Sequence, residues 1–228
     1  FLKAVELCER RQGALLVIGV GKCADVAAKI VGTLNSTGRR SFSIDVVKAA
    51  HGDLGCVDSN DLVLALSYSG ATEELLRVMG SLRNLAGGVI VMTGKRNSPV
   101  TAFADIVLWI GQVREVCPLG LAPSSSAVAM MALGDALAFT LARRRHFSRE
   151  DFARFHPAGS LGRRLRNVEA IMRCGSLLRL SGQGTSVREA CVQSRRDGRR
   201  LGAILLVDDA GKFVGIFTDS DLSRLLES

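Results

Sequence analysis

Proline is scarce in this chain of 228 residues, with four in all, and aromatic residues make up only 5%. So little proline excludes a proline-rich linker or recognition tract. So few rings leave little of the base-stacking surface that single-stranded nucleic-acid binders use. No apolar run reaches the roughly 20 residues of a membrane-spanning helix, which argues against a membrane partner. The six cysteines, Cys8, Cys23, Cys56, Cys117, Cys174 and Cys191, never form a CxxC pair, which speaks against a zinc site or a dense disulfide framework. They read as reduced packing residues, and so as belonging to a cytoplasmic protein. Phe1-Leu2-Lys3 carries neither an initiator Met nor a signal-peptide layout, so the sequence is expected to begin inside a longer protein.

The charge excess is local. Of the net +8, almost nothing comes from residues 1–142, with 13 basic and 12 acidic groups, or from residues 174–228, with 8 and 7. Residues 143–173 hold nine arginines against three acids. A nucleic-acid face would spread further and interleave aromatics, and this stretch has only Phe147, Phe152 and Phe155. A solvated hinge or a contact with an anionic ligand fits it better than DNA binding.

What is abundant is Val, Ile, Leu and Ala, within an apolar fraction of 47%. Five short runs, Ala14–Val20, Ser41–Val47, Leu62–Ser67, Val89–Thr93 and Ile106–Gly111, carry apolar residues on successive positions, as strands buried on both faces do. Helical patterns lie between or after them at Lys22–Asn35, Thr72–Leu85, Pro99–Phe103 (short) and Ser124–Arg145. The alternation predicts an α/β fold, a doubly wound five-stranded parallel sheet in three layers. Ligands on such sheets bind beyond the carboxyl ends of the strands. Residues 1–150 are expected to form this domain, and 151–167 a polar, basic linker broken by Pro157, Gly159 and Gly162. Residues 168–228 form a small C-terminal α+β module, with a helix near Val187–Arg196, runs at Ala203–Val207 and Phe213–Phe217 joined by Asp208-Asp209-Ala210-Gly211, and a last helix at Asp219–Leu226. Sixty residues bury too little to stand comfortably alone, so the module is expected to pair with another copy or with further sequence.

The strand-to-helix turns hold the chemistry. Ile18-Gly19-Val20-Gly21-Lys22 lets the backbone approach a ligand at a helix N-terminus, but it is neither a Walker loop nor a dinucleotide fingerprint. The third turn is more specific. In Ser67-Tyr68-Ser69-Gly70-Ala71-Thr72, followed by Glu73-Glu74, three hydroxyls surround one glycine before a helix, more than a helix cap needs and well suited to a phosphate dianion. After the fifth run, Glu115 stands on the ligand side, and Ser124-Ser125-Ser126 opens the longest helix. Glu115 is therefore a candidate base. His51 and His156 lie on loops bearing Gly or Pro, and His146 follows an arginine run on the surface.

These segments together resemble the arabinose 5-phosphate isomerase family, in which a sugar isomerase (SIS) domain is joined to CBS modules. The matching pieces are GVGK at 19–22, AAHGDLG at 49–55, SYSGATEE at 67–74, EVCPLGLAPSSS at 115–126, GDALA at 134–138 and FHPAGSLGRRL at 155–165. The resemblance implies interconversion of ribulose 5-phosphate and arabinose 5-phosphate, feeding synthesis of the lipopolysaccharide sugar Kdo. It places the functional residues on Lys22, His51, Glu74, Glu115 and His156. Glu115 is the first choice for the base and Glu74 the second. Gly21, Ser67, Ser69, Gly70, Thr72, Ser124 and Ser125 would bind substrate, with Lys22 stabilising the enediolate and His156 (from a neighbouring subunit) or His51 moving hydroxyl protons. No cofactor or metal is required, and a homotetramer or homodimer is expected. Val214–Leu222 resembles the closing strand and helix of a CBS module, with Thr218 and Asp221 placed to meet a nucleotide effector. Relatives carry two such modules and this sequence one. A sugar-phosphate-sensing regulator and an isomerase of another sugar phosphate are the alternatives.

Overall fold

The computed structural model describes residues 1–157, 168–169, 171–193 and 202–227. The chain divides into two units, Phe1–Leu165 and Arg166–Ser228. In the first, the five apolar runs become parallel strands β1 (Leu15–Gly19), β2 (Ser41–Ile44), β3 (Leu62–Leu66), β4 (Val89–Thr93) and β5 (Ile106–Trp109), in the order β2-β1-β3-β4-β5. Every residue of β1, β3 and β4 is buried, which explains why their sequences are continuous rather than alternating.

Helices cover both faces. On one face α1 (Leu2–Arg10), α2 (Lys22–Ser36) and α5 (Ser125–Arg144) pack on Leu15, Val17, Leu62, Leu64, Leu66, Ile90 and Met92. On the other, α3 (Val46–Ala50), α4 (Glu73–Leu85) and the 3-10 turn Pro99–Phe103 pack on Leu16, Ile18, Val63, Ala65, Val89 and Val91. Alternate strand residues thus feed opposite cores, the period-two geometry of a strand. Helix α6 (Arg149–Phe155) follows, opened by a capping box between Ser148 and Asp151.

Three readings of the sequence change. The second run is a strand only to Ile44, because Asp45 caps a helix there by accepting from the Lys48 amide at 2.9 Å. The fifth strand ends at Trp109 rather than Gly111. The third concerns a membrane-spanning segment. Helix α5 is long and apolar enough to cross a membrane by length and composition alone, with a mean hydropathy of 1.5. Its apolarity has a local reason. Met130, Gly134, Leu137, Ala138 and Leu141 are buried against the sheet and α2, and Asp135 pairs with Lys29 of α2.

In the second unit β6 (Leu180–Gly182) runs parallel to β7 (Ala203–Val207), which pairs antiparallel with β8 (Phe213–Thr218). Helices α7 (Val187–Gln193) and α8 (Asp219–Glu227) complete what is described. The hairpin closes on Asp208, whose Oδ1 accepts from the amides of Ala210 and Lys212 at 3.0 and 2.9 Å. Residues 194–196 of the expected helix, and most of the linker segment from Ala158 onward, lie outside the described residues.

The crossing of α2 and α5 depends on Gly134, where a Cβ would stand 2.4 Å from both Cγ1 and Cδ1 of the fully buried Ile30. Gly134→Val is expected to destabilise the first unit by about 1–3 kcal/mol through overpacking. Urea denaturation with an unchanged slope checks this.

Candidate active site

β1 and β3 are neighbours, with Gly19 beside Leu66 at their carboxyl ends. The chain leaves β1 into α2 on one face of the sheet and leaves β3 into α4 on the other. The order β2-β1-β3 therefore reverses direction at this pair and opens a crevice between the two outgoing turns, the general ligand position of open parallel sheets. Both phosphate-binding candidates from the sequence meet here. Gly21, at φ 55°, turns the chain into α2, and Lys22 follows, exposed and paired with Asp25 at 3.1 Å. One residue on, Cys23 packs on the same core as Tyr68, and burial raises its thiol pKa.

The Ser67–Thr72 loop is organised by its own hydroxyls. Ser67 is buried, its Oγ lies 2.9 Å from Thr72 Oγ1, and it accepts from the Gly70 amide at 3.0 Å. Ser69 Oγ accepts from the Ala71 amide at 3.3 Å. Because the Thr72 hydroxyl is turned to Ser67, it makes no side-chain cap on α4, and the first amides of that helix are left for a ligand. Gly70 sits at φ 68°, and a Cβ there would stand 2.0 Å from Ser98 Oγ, so neither the backbone angle nor the space admits a side chain.

Tyr68, in the same loop, reaches across to the segment that carries Glu115. Its hydroxyl donates to the Val113 carbonyl and accepts from the Val113 amide, both at 2.9 Å. Its ring packs so closely on Gly94 that a Cβ there would come within 2.3 Å. Two residues past this clasp, Glu115 turns its carboxylate onto the N-terminus of α5. Oε2 accepts from the amide and hydroxyl of Ser124, both at 2.8 Å, and from the Ser126 amide at 3.3 Å. Hydrogen bonding by the Ser126 side chain, followed by the Ser124 amide and hydroxyl and the Ser126 amide, lowers the Glu115 pKa to about 2 despite some desolvation. Beyond it, Cys117 Sγ accepts from the amides of Leu121 and Ala122, each at 3.1 Å, and these bonds lower its pKa.

The remaining candidates divide by position. Glu74 stands exposed on the first turn of α4, beside the hydroxyl loop. His51 is exposed at the end of α3, on the carboxyl side of β2 and one strand from the crevice. Ser125 begins α5 but is not among the donors to Glu115, whereas Ser126 is. Ser126, which donates to Glu115, and Tyr68, which holds Val113, are contacts that sequence reasoning does not single out, although the serine triplet contains the first. His156 is at the opposite end of the sheet. Its Nδ1 donates to the Phe152 carbonyl at 2.8 Å and its ring stacks on Phe152 at 3.8 Å. Nearby Phe147 and Phe155 lie against Gly38, which precedes β2. The 20 residues of α5 separate that end from the Glu115 cap, about 30 Å at roughly 1.5 Å per residue. In the second unit, Asp221 Oδ2 accepts from the Thr218 amide and hydroxyl at 2.9 and 2.7 Å, and Arg224 pairs with the same carboxylate. Among the described residues no group of three His, Cys, Asp or Glu is arranged to hold a metal ion.

Comparison with known proteins agrees with this geometry. Residues 10–140 match the SIS domain and residues 182–228 the CBS domain. Arabinose 5-phosphate isomerase KdsD of Pseudomonas aeruginosa is 43% identical over 228 residues, all of this chain and 69% of that protein. Arabinose 5-phosphate isomerase GutQ of Salmonella typhi is 41% identical over 227 residues, 99% of this chain and 70% of that one. A protein of E. coli CFT073, solved in complex with arabinose 5-phosphate, superposes with a TM-score of 0.67 at 36% identity, covering 69% of this chain and 84% of its own. With its hydroxyl loop, its capped glutamate and the CBS match all on one chain, this protein belongs to the SIS-domain family of arabinose 5-phosphate isomerases.

Proposed function

We propose that this chain is an aldose–ketose isomerase that interconverts D-ribulose 5-phosphate and D-arabinose 5-phosphate through a cis-enediol, using no cofactor. The observation that carries this reading is the clasp between Tyr68 and Val113, which holds a phosphate-type loop and a glutamate-bearing segment at one crevice. The phosphate is read by Ser67, Ser69, Thr72 and the uncapped amides of α4, with Gly21 and Gly70 allowing close backbone approach. That anchoring fixes the distance from the phosphate to C1 and C2. A carboxylate then removes the proton from one of these carbons, the electron pair forms the enediolate, and the same carboxylate returns the proton to the other carbon. Lys22 stabilises the oxyanion, and His51 or His156 moves the hydroxyl proton between O1 and O2. Ser124 and Ser125 would bind the sugar hydroxyls.

Glu115 is the proposed base, with Glu74 the alternative. Its donors keep Glu115 ionised but reduce its basicity, so a substrate hydroxyl must draw it partly away from the Ser124 and Ser126 amides. Because His156 lies about 30 Å from this crevice in its own chain, the reading requires it to come from a neighbouring subunit of a homodimer or homotetramer. The six thiols are free, which suits a reducing cytoplasm. At the CBS module a nucleotide effector would have to displace the bonds between Thr218 and Asp221.

Deuterium exchange at C2 separates the two carboxylates. Glu115→Gln is expected to slow exchange by about 10²–10⁴-fold while sugar-phosphate binding survives, and Glu74→Gln to slow it less; full exchange in the Glu115 variant removes Glu115 as base. Mixing Glu115→Gln chains with His156→Ala chains, each inactive alone, is expected to restore turnover. Failure of mixed oligomers to do so places His156 outside the site.

The hydrogen bonds to Glu115 also carry a pH signature. A carboxyl whose folded pKa is depressed to about 2 contributes stability that is present above its unfolded value near 4.5 and is lost as pH falls through the folded value. The melting-temperature gap between the wild type and Glu115→Ala is therefore expected to be full at pH 6–7 and to close from about pH 4.5 downward. A gap independent of pH contradicts the cap.

A further inference from the structure

At the amino end of the sheet, away from the crevice, Arg39 ends the turn between α2 and β2. Its backbone is tied at both groups: the amide donates to the Leu34 carbonyl at 2.8 Å, and its carbonyl accepts from Ser41 Oγ at 2.9 Å. The side chain is driven inward and is only 3% exposed, yet Nε and Nη2 have no hydrogen-bond partner among the described residues. A guanidinium cannot discharge itself by losing a proton, and burying one unpaired is among the more costly arrangements available to a protein.

No anion among the described residues hydrogen-bonds Nε or Nη2 of Arg39. Asp61, the nearest buried carboxylate, spends Oδ1 on the Ala14 amide at 2.6 Å and Oδ2 on the Asp58 amide at 2.9 Å. Cys8 is pushed up to about 11 by burial, so it is a neutral thiol. Glu9 pairs with Arg144 at 2.9 Å. The largest charge acting on Arg39 is that of another cation, Arg145, and the attraction of Asp61 is weaker. Beside Arg39 lies a pocket of about 410 Å³ lined by Glu9, Gln12, Gly38, Arg39, Arg40 and Arg145. That volume is in the range of small-molecule sites. Of the arginine excess read in the sequence, Arg145 lines the pocket and Arg144 pairs with its Glu9.

We propose that this pocket is a second anion site, separate from the crevice, which takes the phosphate group of a small phosphorylated molecule between Arg145 and Arg40, with the buried charge of Arg39 in its wall. Bidentate guanidinium contacts suit phosphate oxygens, and three arginines against one already-paired carboxylate suit a ligand with two or more negative charges. The site stands on this geometry and does not depend on the isomerase reading.

Calorimetric titration with pyrophosphate and with inorganic phosphate tests it. The proteins compared are the full chain, a Ser67→Ala/Thr72→Val variant of the crevice loop, Arg39→Met and Arg145→Gln. Pyrophosphate binding that persists in the loop variant and weakens at least tenfold in both arginine variants is the expected result. Arg145 is exposed, so Arg145→Gln answers the question even if Arg39→Met does not fold. Binding that disappears in the loop variant, binding unchanged in Arg145→Gln, or no binding by the full chain overturns the proposal. Inorganic phosphate binding as tightly as pyrophosphate assigns the site to free phosphate, and tighter pyrophosphate binding assigns it to a phosphoanhydride-bearing molecule.

Discussion

The reversal of the chain between β1 and β3 is the constraint on which the rest of the first unit depends. Both strands are buried on both faces, so neither outgoing turn can lie across the sheet. One must go up into α2 and the other down into α4. The crevice between them is a consequence of strand order before any functional residue is considered. What makes it a site is that each turn is short and rich in glycine or hydroxyls, so that backbone amides and small polar side chains face the gap. The two hydrogen bonds between Tyr68 and Val113 then draw the hydroxyl loop and the Glu115 segment onto the same place.

Polar groups at this end of the sheet are occupied mainly with one another. Ser67 and Thr72 share a hydrogen bond, Ser69 holds Ala71, and Glu115 caps α5. Such self-satisfaction keeps a ligand-free crevice from carrying unpaired buried donors, whose cost would otherwise fall on folding. It also means that a phosphate or sugar hydroxyl acts by exchange, taking over bonds the protein already makes. The buried guanidinium of Arg39 is the contrast: its Nε and Nη2 have no hydrogen-bond partner among the described residues.

Much of this is legible in the sequence, and the gaps have physical reasons. Continuous apolar runs predict buried parallel strands, and the strand-to-helix turns predict the ligand side. The boundary at Ile44 escapes because Val46 and Val47 continue an apolar run, and only Asp45 announces the helix cap between them. Helix α1 escapes although Ala4, Val5 and Cys8 follow its buried stripe, since three apolar contacts in nine residues make a faint period. Helix α6 hides inside a basic segment, with the Ser148–Asp151 box as its only local signal. Tyr68 and Arg39 cannot be found from local pattern at all. Their roles arise from a partner 45 residues away for the first and, for the second, from buried Nε and Nη2 atoms with no partner among the described residues, and long-range packing leaves no trace in spacing.

The central claim is that binding at the β1–β3 crevice leads to proton transfer on a five-carbon sugar phosphate. Nuclear magnetic resonance of the purified protein with ribulose 5-phosphate in deuterated water tests it most directly. The account predicts growth of arabinose 5-phosphate signals to an equilibrium mixture, with solvent deuterium entering at C2. Unchanged ribulose 5-phosphate, with no deuterium incorporated and with binding to the crevice intact, would contradict it.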